Sequence, residues 1–376
     1  MGQFAYIILC HKNVDAIIAQ VEQLTAPGDA VSIHFDARAP REDFERLKGA
    51  LAKNPNVVFA KRRLKCGWGE WSLVAGTLSA LETAVEAFPR ATHFYLMSGD
   101  CMPIKTAEHA HAYIEDRDVD FIESYDFFES DWIKTGFKDE RLIYRHWFNE
   151  RTQSKWFYRS FNIQKMLGVT RSPPKGMQVM IGSQWWCLRR RTVEAILDLI
   201  DARPDITRFF RTTWIPDETF FQTLVRHLVP ETEINNRTLT FLMFTDYGMP
   251  VTFYNDHYDL LKAQDYLFAR KISSEATDLK ARLGELYSKE GMTFQTSDEG
   301  PRLFKFLTGQ GRIGERFSPR FWEKDSTIGR ERSLLIVTCK KWHVAKRLLD
   351  RVGSVSNLPT IEYLFDEEET PLPDLG

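Results

Sequence analysis

The sequence predicts an α/β fold, a mostly parallel sheet with helices on both faces, followed by a small C-terminal α/β extension. Three observations carry this. Strand-like apolar runs alternate with helical patterns through the first 125 residues, the order that parallel pairing requires. The chain of 376 residues is 43% hydrophobic, enough to bury one large or two medium cores. Polar residues stand just after several of the apolar runs, where open α/β sheets place their ligands.

Taken in order, FAYIILC (4–10) reads as the first strand and VDAIIAQVEQL as the helix that returns over the sheet. AVSIHFD with EDFERLKGALA repeats the unit, as does NVVFA with the long amphipathic SLVAGTLSALETAVEAF. HFYLMSGD and AEHAHAYIED form a fourth unit, and DFIES is a fifth strand. From 126 to 175 the pattern turns irregular, aromatic and basic, which suits either a substrate-facing insertion or a solvated amphipathic connection. MIGSQWWCLRRRTVEAILDLI then gives a strand and a helix, PDETFFQTLVRHL (216–228) another helix, and LKAQDYLFARKI closes a first domain at 272. Residues 273–330 read as a charged helical or irregular connection. Residues 331–376 supply one more strand–helix–strand unit (SLLIVTC, KKWHVAKRLLDRV, TIEYLF) and an acidic tail. That unit buries too little to stand alone, so it packs on the main domain or begins a further one.

Bulk properties narrow the function. Fifty basic residues against 52 acidic ones give a net charge of -2, which argues against a nucleic-acid partner. Five scattered cysteines without a CxxC pair fit reduced thiols in a cytoplasmic protein. The N-terminal apolar run is seven residues long with no basic region before it, so it reads as a strand. No apolar run approaches membrane length, which leaves only peripheral membrane association open. The sequon Asn236-Arg237-Thr238 reads as accidental in that setting. No GxGxxG or GxxxxGK[ST] follows the first strand, which removes the nicotinamide-dinucleotide and P-loop readings. TCKKWH likewise lacks the glycines that a sulfotransferase or kinase would need.

The ligand-facing candidates by position are His11, Asp36 and the SGDCMP segment at 98–103. In PDETFFQ, Pro216 fixes φ and two acids, Asp217 and Glu218, favour the positive end of a helix. Read by itself, the stretch is a helix start.

Seven segments in order change that reading. IILCHKN, SIHFDAR, GWGEWSLVAGTL, YLMSGDCMPIKT, IGSQWWCLRRRTVEAIL, PDETFFQTL and LFARKI together resemble the Core-2/I-branching glycosyltransferase family. That family includes branching β-1,6-N-acetylglucosaminyltransferases and peptide O-xylosyltransferases, and the resemblance suggests a bacterial-type member. It covers roughly residues 4–272. It implies a GT-A (Rossmann-like) fold, a UDP-sugar donor, a glycan or glycoconjugate acceptor and inversion at the anomeric carbon.

Residue by residue, the resemblance makes Glu218 the general base that takes the acceptor hydroxyl's proton, with Asp217 as its capping or orienting partner. Asp36 matches the Asp that hydrogen-bonds uridine, although a turn-starting Asp would look the same. Trp68 matches an aromatic that stacks on uracil, and Trp71 reads as core. His11 either contacts the nucleotide or satisfies backbone groups. Glu123 matches a position that contacts the acceptor sugar, with Asp126, Arg141 and Arg145 as further candidates. Trp185 and Trp186, read as adjacent strand residues, would place one ring at the site and one in the core.

No metal or other cofactor is expected. SGDC leaves Asp100 as its one acid, with Cys101 where a second oxygen ligand would stand. The strings Asp116-Arg117-Asp118 and Asp118-Val119-Asp120 fall at a helix end and read as solvating it. The resemblance replaces the metal with cations. Lys271 matches one, against the alternative of an exposed Lys near a helix end. A second, an Arg about two dozen residues earlier, has no counterpart in DYGMPVTFYND, which leaves Arg270 and Arg237 as candidates. Three alternatives stay open, namely a glucuronosyltransferase, a peptide O-xylosyltransferase and a non-catalytic sugar-nucleotide or glycan-binding module.

Overall fold

A computed structural model describes residues 2–133, 136–243, 250–297 and 342–356. The expected strands SLLIVTC and TIEYLF, the acidic tail and Cys339 lie outside these residues.

The chain opens with three strand–helix units: β1 (Phe4–Cys10) and α1 (Val14–Thr25), β2 (Ala30–Phe35) and α2 (Arg41–Leu51), β3 (Val57–Phe59) and α3 (Trp71–Ala87). β4 (His93–Ser98) and the short β5 (Met102–Pro103) precede α4 (Ala107–Glu115), β6 (Asp120–Phe121) and β7 (Tyr125–Asp126). The expected fifth strand DFIES is thus only two residues of β6, because the backbone leaves the sheet after Phe121 and re-pairs as β7 elsewhere. The irregular segment contains α5 (Glu140–Ile143) and a 13-residue helix, α6 (Ser154–Met166). The pattern had concealed α6, since only Phe157, Phe161 and Gln164 of it are buried.

β8 (Met180–Ile181) and β9 (Cys187–Arg189) stand where one strand was expected, followed by α7 (Arg190–Ala202) and α8 (Pro204–Phe210). After α9 (Phe220–Leu228) come β10 (Ile234–Asn235), β11 (Thr240–Phe241), α10 (Tyr258–Ala263), β12 (Phe268–Ala269), α11 (Thr277–Tyr287) and α12 (Trp342–Val355). The last of these is the helix that KKWHVAKRLLDRV suggested.

Compactness divides the chain at other points than the sequence pattern does. One unit comprises Met1–Gly99 and Ala107–Leu239, the other Asp100–Thr106 and Thr240–Gly376. Sequence pattern follows chain order, whereas seven residues after β4 pair with strands that come much later.

The first unit carries a seven-stranded sheet in the order β10-β6-β9-β4-β1-β2-β3. β3, β2, β1 and β4 are all parallel, and β9 runs antiparallel to β4 and β6. Phe4 to Ile8 are wholly buried, as a central strand covered on both faces must be. The order 3-2-1-4 puts a switch point between the carboxyl ends of β1 and β4.

The second unit holds the three-stranded sheet β11-β12-β5 over a core of Met102, Ile104, Phe241, Phe253, Leu261 and Leu279. Lys105 is buried there. Its ammonium donates to the carbonyls of Lys262 (2.7 Å) and Gln264 (2.6 Å), and burial pushes its pKa down to about 8. Among the described residues, no helix is long and apolar enough to cross a membrane.

Candidate active site

The switch point is built by close approach. Gly99 follows β4 and donates its N–H to the Leu9 carbonyl. A Cβ at Gly99 would lie 2.2 Å from Ile17 Cδ1, so a larger residue would have to turn the Ile17 side chain aside. His11 stands exposed just past β1, at this crevice.

Asp36 follows β2 and organises the loop before α3. Its carboxylate accepts from its own turn, Arg38 N at 2.7 Å, and from Cys66 N at 3.3 Å. Turn-starting and loop-holding are therefore both its work. His34, two residues earlier, is buried and accepts the Leu64 N–H on Nε2 at 3.0 Å. Burial pulls the imidazole below its ordinary pKa, which keeps Nε2 a lone-pair acceptor. Burial and then the Asp36 charge push the neighbouring Cys66 thiol up to about 12, so it is no nucleophile.

This loop presents Trp68, 42% exposed, with the Arg151 guanidinium 3.7 Å above its ring centroid and Trp214 edge-on. Arg151 thus covers one face of the ring expected to stack on uracil. The next residue, Gly69, adopts φ +70° and accepts the Ile215 N–H on its carbonyl at 3.0 Å. That bond ties the Trp68 loop to the PDE segment.

Pro216–Glu218 forms a 3-10 turn, and α9 begins only at Phe220. The helix start expected at Pro216 is corrected by two backbone states. Ile215 is left-handed at φ 55°, and Thr219 at φ -131° interrupts the helical run. Asp217 makes no capping hydrogen bond. Its Oδ1 is sealed from solvent without a partner, and the residue lines a cavity of about 20 Å³ whose walls are mostly apolar (Leu9, Leu73, Val74, Leu96 and Phe221) but include Thr77 and Gln184. Burial, then the charge of Glu218, push its pKa up to about 7. Glu218 points the other way. It is 32% exposed and accepts from Arg141 Nη1 at 3.0 Å through Oε2. Among the described residues no hydrogen bond reaches its Oε1. Arg141 is buried, held by the Phe137 carbonyl and lying over the Trp214 ring.

Glu123 joins this turn through a crowded backbone. Gly182 donates to the Glu218 carbonyl at 2.9 Å, and its missing Cβ would fall 1.9 Å from the Glu123 carbonyl oxygen. Ser183 N donates to the Glu123 carboxylate at 3.3 Å, while Gln222 Nε2 donates to the Ser183 carbonyl at 2.7 Å and reaches the Asp217 carbonyl at 3.4 Å. Glu123, Asp217 and Glu218 are thereby brought together. Trp185 and Trp186 are both buried, so neither ring is set apart for the site. They precede β9 rather than lie in it, and the alternation of strand faces does not apply to them. Arg145 is anchored by its backbone to Gln164, and Asp126 binds its own turn and Gln178. Asn236, the sequon residue, accepts the Ser124 N–H at 2.6 Å.

In the second unit Lys271 Nζ lies 3.2 Å from Asp100 Oδ2. Lys271 follows β12 rather than ending a helix, which corrects the alternative reading of an exposed helical Lys. Arg270, its neighbour, is half-buried and donates its backbone N–H to the Phe241 carbonyl. Arg237, the other candidate cation, belongs to the first unit. The acids Asp118 and Asp120 do not solvate a helix end. Asp120 is fully buried and binds Arg189 Nη2 at 2.7 Å and Thr192 at 2.7 Å, and Asp118 pairs with Arg189 and Arg191.

Sequence reasoning passed over Trp214, Arg151 and Gln222. The last stands inside PDETFFQ at a helical spacing that makes it look like a surface residue. Its complete burial follows from bridging two carbonyls, which no periodicity reveals.

A model of the Core-2/I-Branching enzyme family matches residues 4–262, and a model described as a family of unknown function (DUF5928) matches 270–376. The chain is similar to beta-1,3-galactosyl-O-glycosyl-glycoprotein beta-1,6-N-acetylglucosaminyltransferase 3 of Ovis aries, 22% identical over 227 residues, 59% of this chain and 46% of that one. It is similar also to the beta-1,3-galactosyl-O-glycosyl-glycoprotein beta-1,6-N-acetylglucosaminyltransferase of Bovine herpesvirus 4 (strain V. test), 23% identical over 223 residues, with the same coverage of 59% and 46%. The chain spans about half the length of the curated relatives it matches. Among solved structures, the WbbM bifunctional glycosyltransferase in its apo form overlays 77% of this chain and 52% of that one. Its TM-score is 0.31 at 8% identity, too loose to bear on the fold.

Proposed function

Because the chain belongs to the Core-2/I-branching enzyme family, we propose that it is an inverting glycosyltransferase that moves N-acetylglucosamine from a UDP-sugar to a glycan hydroxyl. The observation that carries this reading is the Glu218 carboxylate, partly exposed and held on one oxygen by the buried Arg141. A base for direct displacement must be fixed in direction yet reachable by an acceptor hydroxyl. With one oxygen engaged by Arg141, the other is left for that hydroxyl.

In the proposed step the acceptor oxygen attacks the anomeric carbon as the bond to the UDP oxygen breaks. Glu218 takes the hydroxyl proton, and UDP departs with the bonding electrons. Lys271 offsets charge on the leaving diphosphate, and Asp36 with Trp68 binds the uridine. Asp217, held largely protonated below neutral pH by burial and by the nearby Glu218 charge, keeps a second negative charge away from Glu218.

Transfer without a metal is part of the proposal. Its support is the single acid of SGDC and the engagement of that acid, Asp100, by Lys271. N-acetylglucosamine as the sugar is supported by the names of the relatives, with xylose as the competing donor. A cytoplasmic setting is part of the proposal, supported by five cysteines scattered through the chain without a CxxC pair.

The test is UDP release from UDP-GlcNAc, UDP-Xyl, UDP-GlcA, UDP-Glc and UDP-Gal, each with a β-galactoside acceptor and with EDTA. Acceptor-dependent release from UDP-GlcNAc that persists in EDTA is expected. Absence of release from every donor would remove the catalytic reading, and loss on chelation restored by Mn²⁺ would remove the metal-independent one.

A further inference from the structure

Helix α6 carries two apolar stripes, and the fold uses one. Phe157 and Phe161 face inward, where they meet Phe137, Tyr144 and Trp214 at ring separations of 4.5 to 6.1 Å. Gln164 completes that face by bonding the Arg145 backbone in both directions. The second stripe is Trp156, Ile163 and Leu167, with Met166 at its edge. At 100° per residue the first three fall within about 40° of one another around the axis. They are 56%, 44%, 64% and, for Met166, 78% exposed. Large apolar groups clustered on one helical face are a surface awaiting a partner, whereas scattered ones are ordinary.

Charge identifies the partner. Residues 151–175 contain six Lys and Arg and no Asp or Glu, in a chain whose total charge is only -2. Lys155 and Arg159 are exposed on α6 along one side of the apolar stripe, the Arg159 guanidinium 5.6 Å from the Trp156 ring centroid, whereas Lys165 stands on the opposite side of the helix over Phe161. We infer that α6 lies flat on an anionic lipid bilayer, inserting Trp156, Ile163 and Leu167 among the acyl chains while Lys155 and Arg159 meet the headgroups. An aromatic at the interface, aliphatics below it and basic residues at the rim are the arrangement of an interfacial helix. The long basic side chains can lie along the apolar stripe and still keep their charges at headgroup level. A two-fold copy of this chain fits poorly, because the same cations would face one another across the contact. A soluble acidic glycan would meet the cations but gain nothing from Ile163, Met166 and Leu167.

This surface is independent of the transferase reading, and so is its test. The whole protein is floated with vesicles of phosphatidylcholine alone and of phosphatidylcholine with phosphatidylglycerol, at low and high salt. Binding is expected only with the anionic lipid, and it should weaken as salt rises. Replacing Lys155 and Arg159 by Gln should lower partitioning roughly five-fold per charge. Replacing Trp156, Ile163 and Leu167 by Ser should abolish it, with the melting temperature preserved because these side chains are exposed. Should that triple variant misfold, the charge series alone decides. Failure to bind phosphatidylglycerol vesicles would overturn the inference, as would binding that both sets of variants leave unchanged. A dimer in sedimentation equilibrium that the Ser variant dissociates would assign the stripe to a second copy instead.

Discussion

Replacing Asp217 by Asn tests whether this acid, half-buried with its Oδ1 sealed from solvent, carries a proton in the folded chain. The carboxyl ordinarily ionises at 3.8, and in the fold it is pushed up to about 7. Between those values the folded chain holds a proton that the unfolded chain has released. Stability therefore falls as pH rises through the window and levels off above about 7. At about 1.4 kcal/mol per pH unit, the full span is worth up to about 4 kcal/mol. Asn cannot ionise, so Asp217→Asn should erase this slope. Urea unfolding of both proteins from pH 5 to 8 should show the variant gaining about 3 kcal/mol relative to wild type across that range. Any cost of burying an amide N–H, about 1–3 kcal/mol, shifts the whole profile without tilting it. Glu218→Gln removes the second cause of the shift and should narrow the window from its upper end. Parallel profiles for wild type and Asp217→Asn, agreeing to within roughly 0.5 kcal/mol over the range, would refute the reasoning and show that Asp217 ionises in the fold as it does in the unfolded chain.

Other substitutions address the remaining roles. Glu218→Gln should cut turnover by roughly 10²–10⁴ while leaving UDP-sugar affinity within a few-fold, and near wild-type turnover would end its assignment as base. Lys271→Ala should weaken UDP binding by about 1.5–3 kcal/mol in calorimetry, and an unchanged affinity would pass the phosphate role to Arg270 or Arg237. Gly182→Ala would set a methyl 1.9 Å from the Glu123 carbonyl oxygen, so a loss of about 3 kcal/mol is expected. A melting temperature equal to wild type would show that the 182–183 backbone yields more easily than its packing suggests.

The parallel half of the sheet was legible because its strands are continuous apolar runs and its helices are long enough to display a period. α1, α2, α3 and α4 all fall where the pattern put them. Legibility fails where local geometry is set by residues far away in the chain. The 3-10 turn at Pro216 depends on Ile215 bonding to Gly69, and the buried state of Trp185 depends on a backbone that has not yet entered β9. The acids of D-R-D-V-D looked solvated because Arg189, their partner, lies some seventy residues on. At the site, Glu218 was named by its resemblance, but its partner Arg141 was only one of several candidates. Nothing in the spacing of residues 141 and 218 announces that the two side chains meet.

The strand pairing of β5 with β12 has a consequence for how the protein is made. Phe268 follows Pro103 by 165 residues, so β5 emerges from the ribosome well before the strand it pairs with. At roughly 5–20 residues per second the wait is about 8–33 s, long compared with the folding of most single domains. Until then Met102 and Ile104 lack both the strand they pair with and the core they enter, although the first unit, which ends at Leu239, is made before Phe268. Synthesis thus leaves Met102 and Ile104, within the mixed stretch Asp100–Thr106, waiting on a half-finished protein.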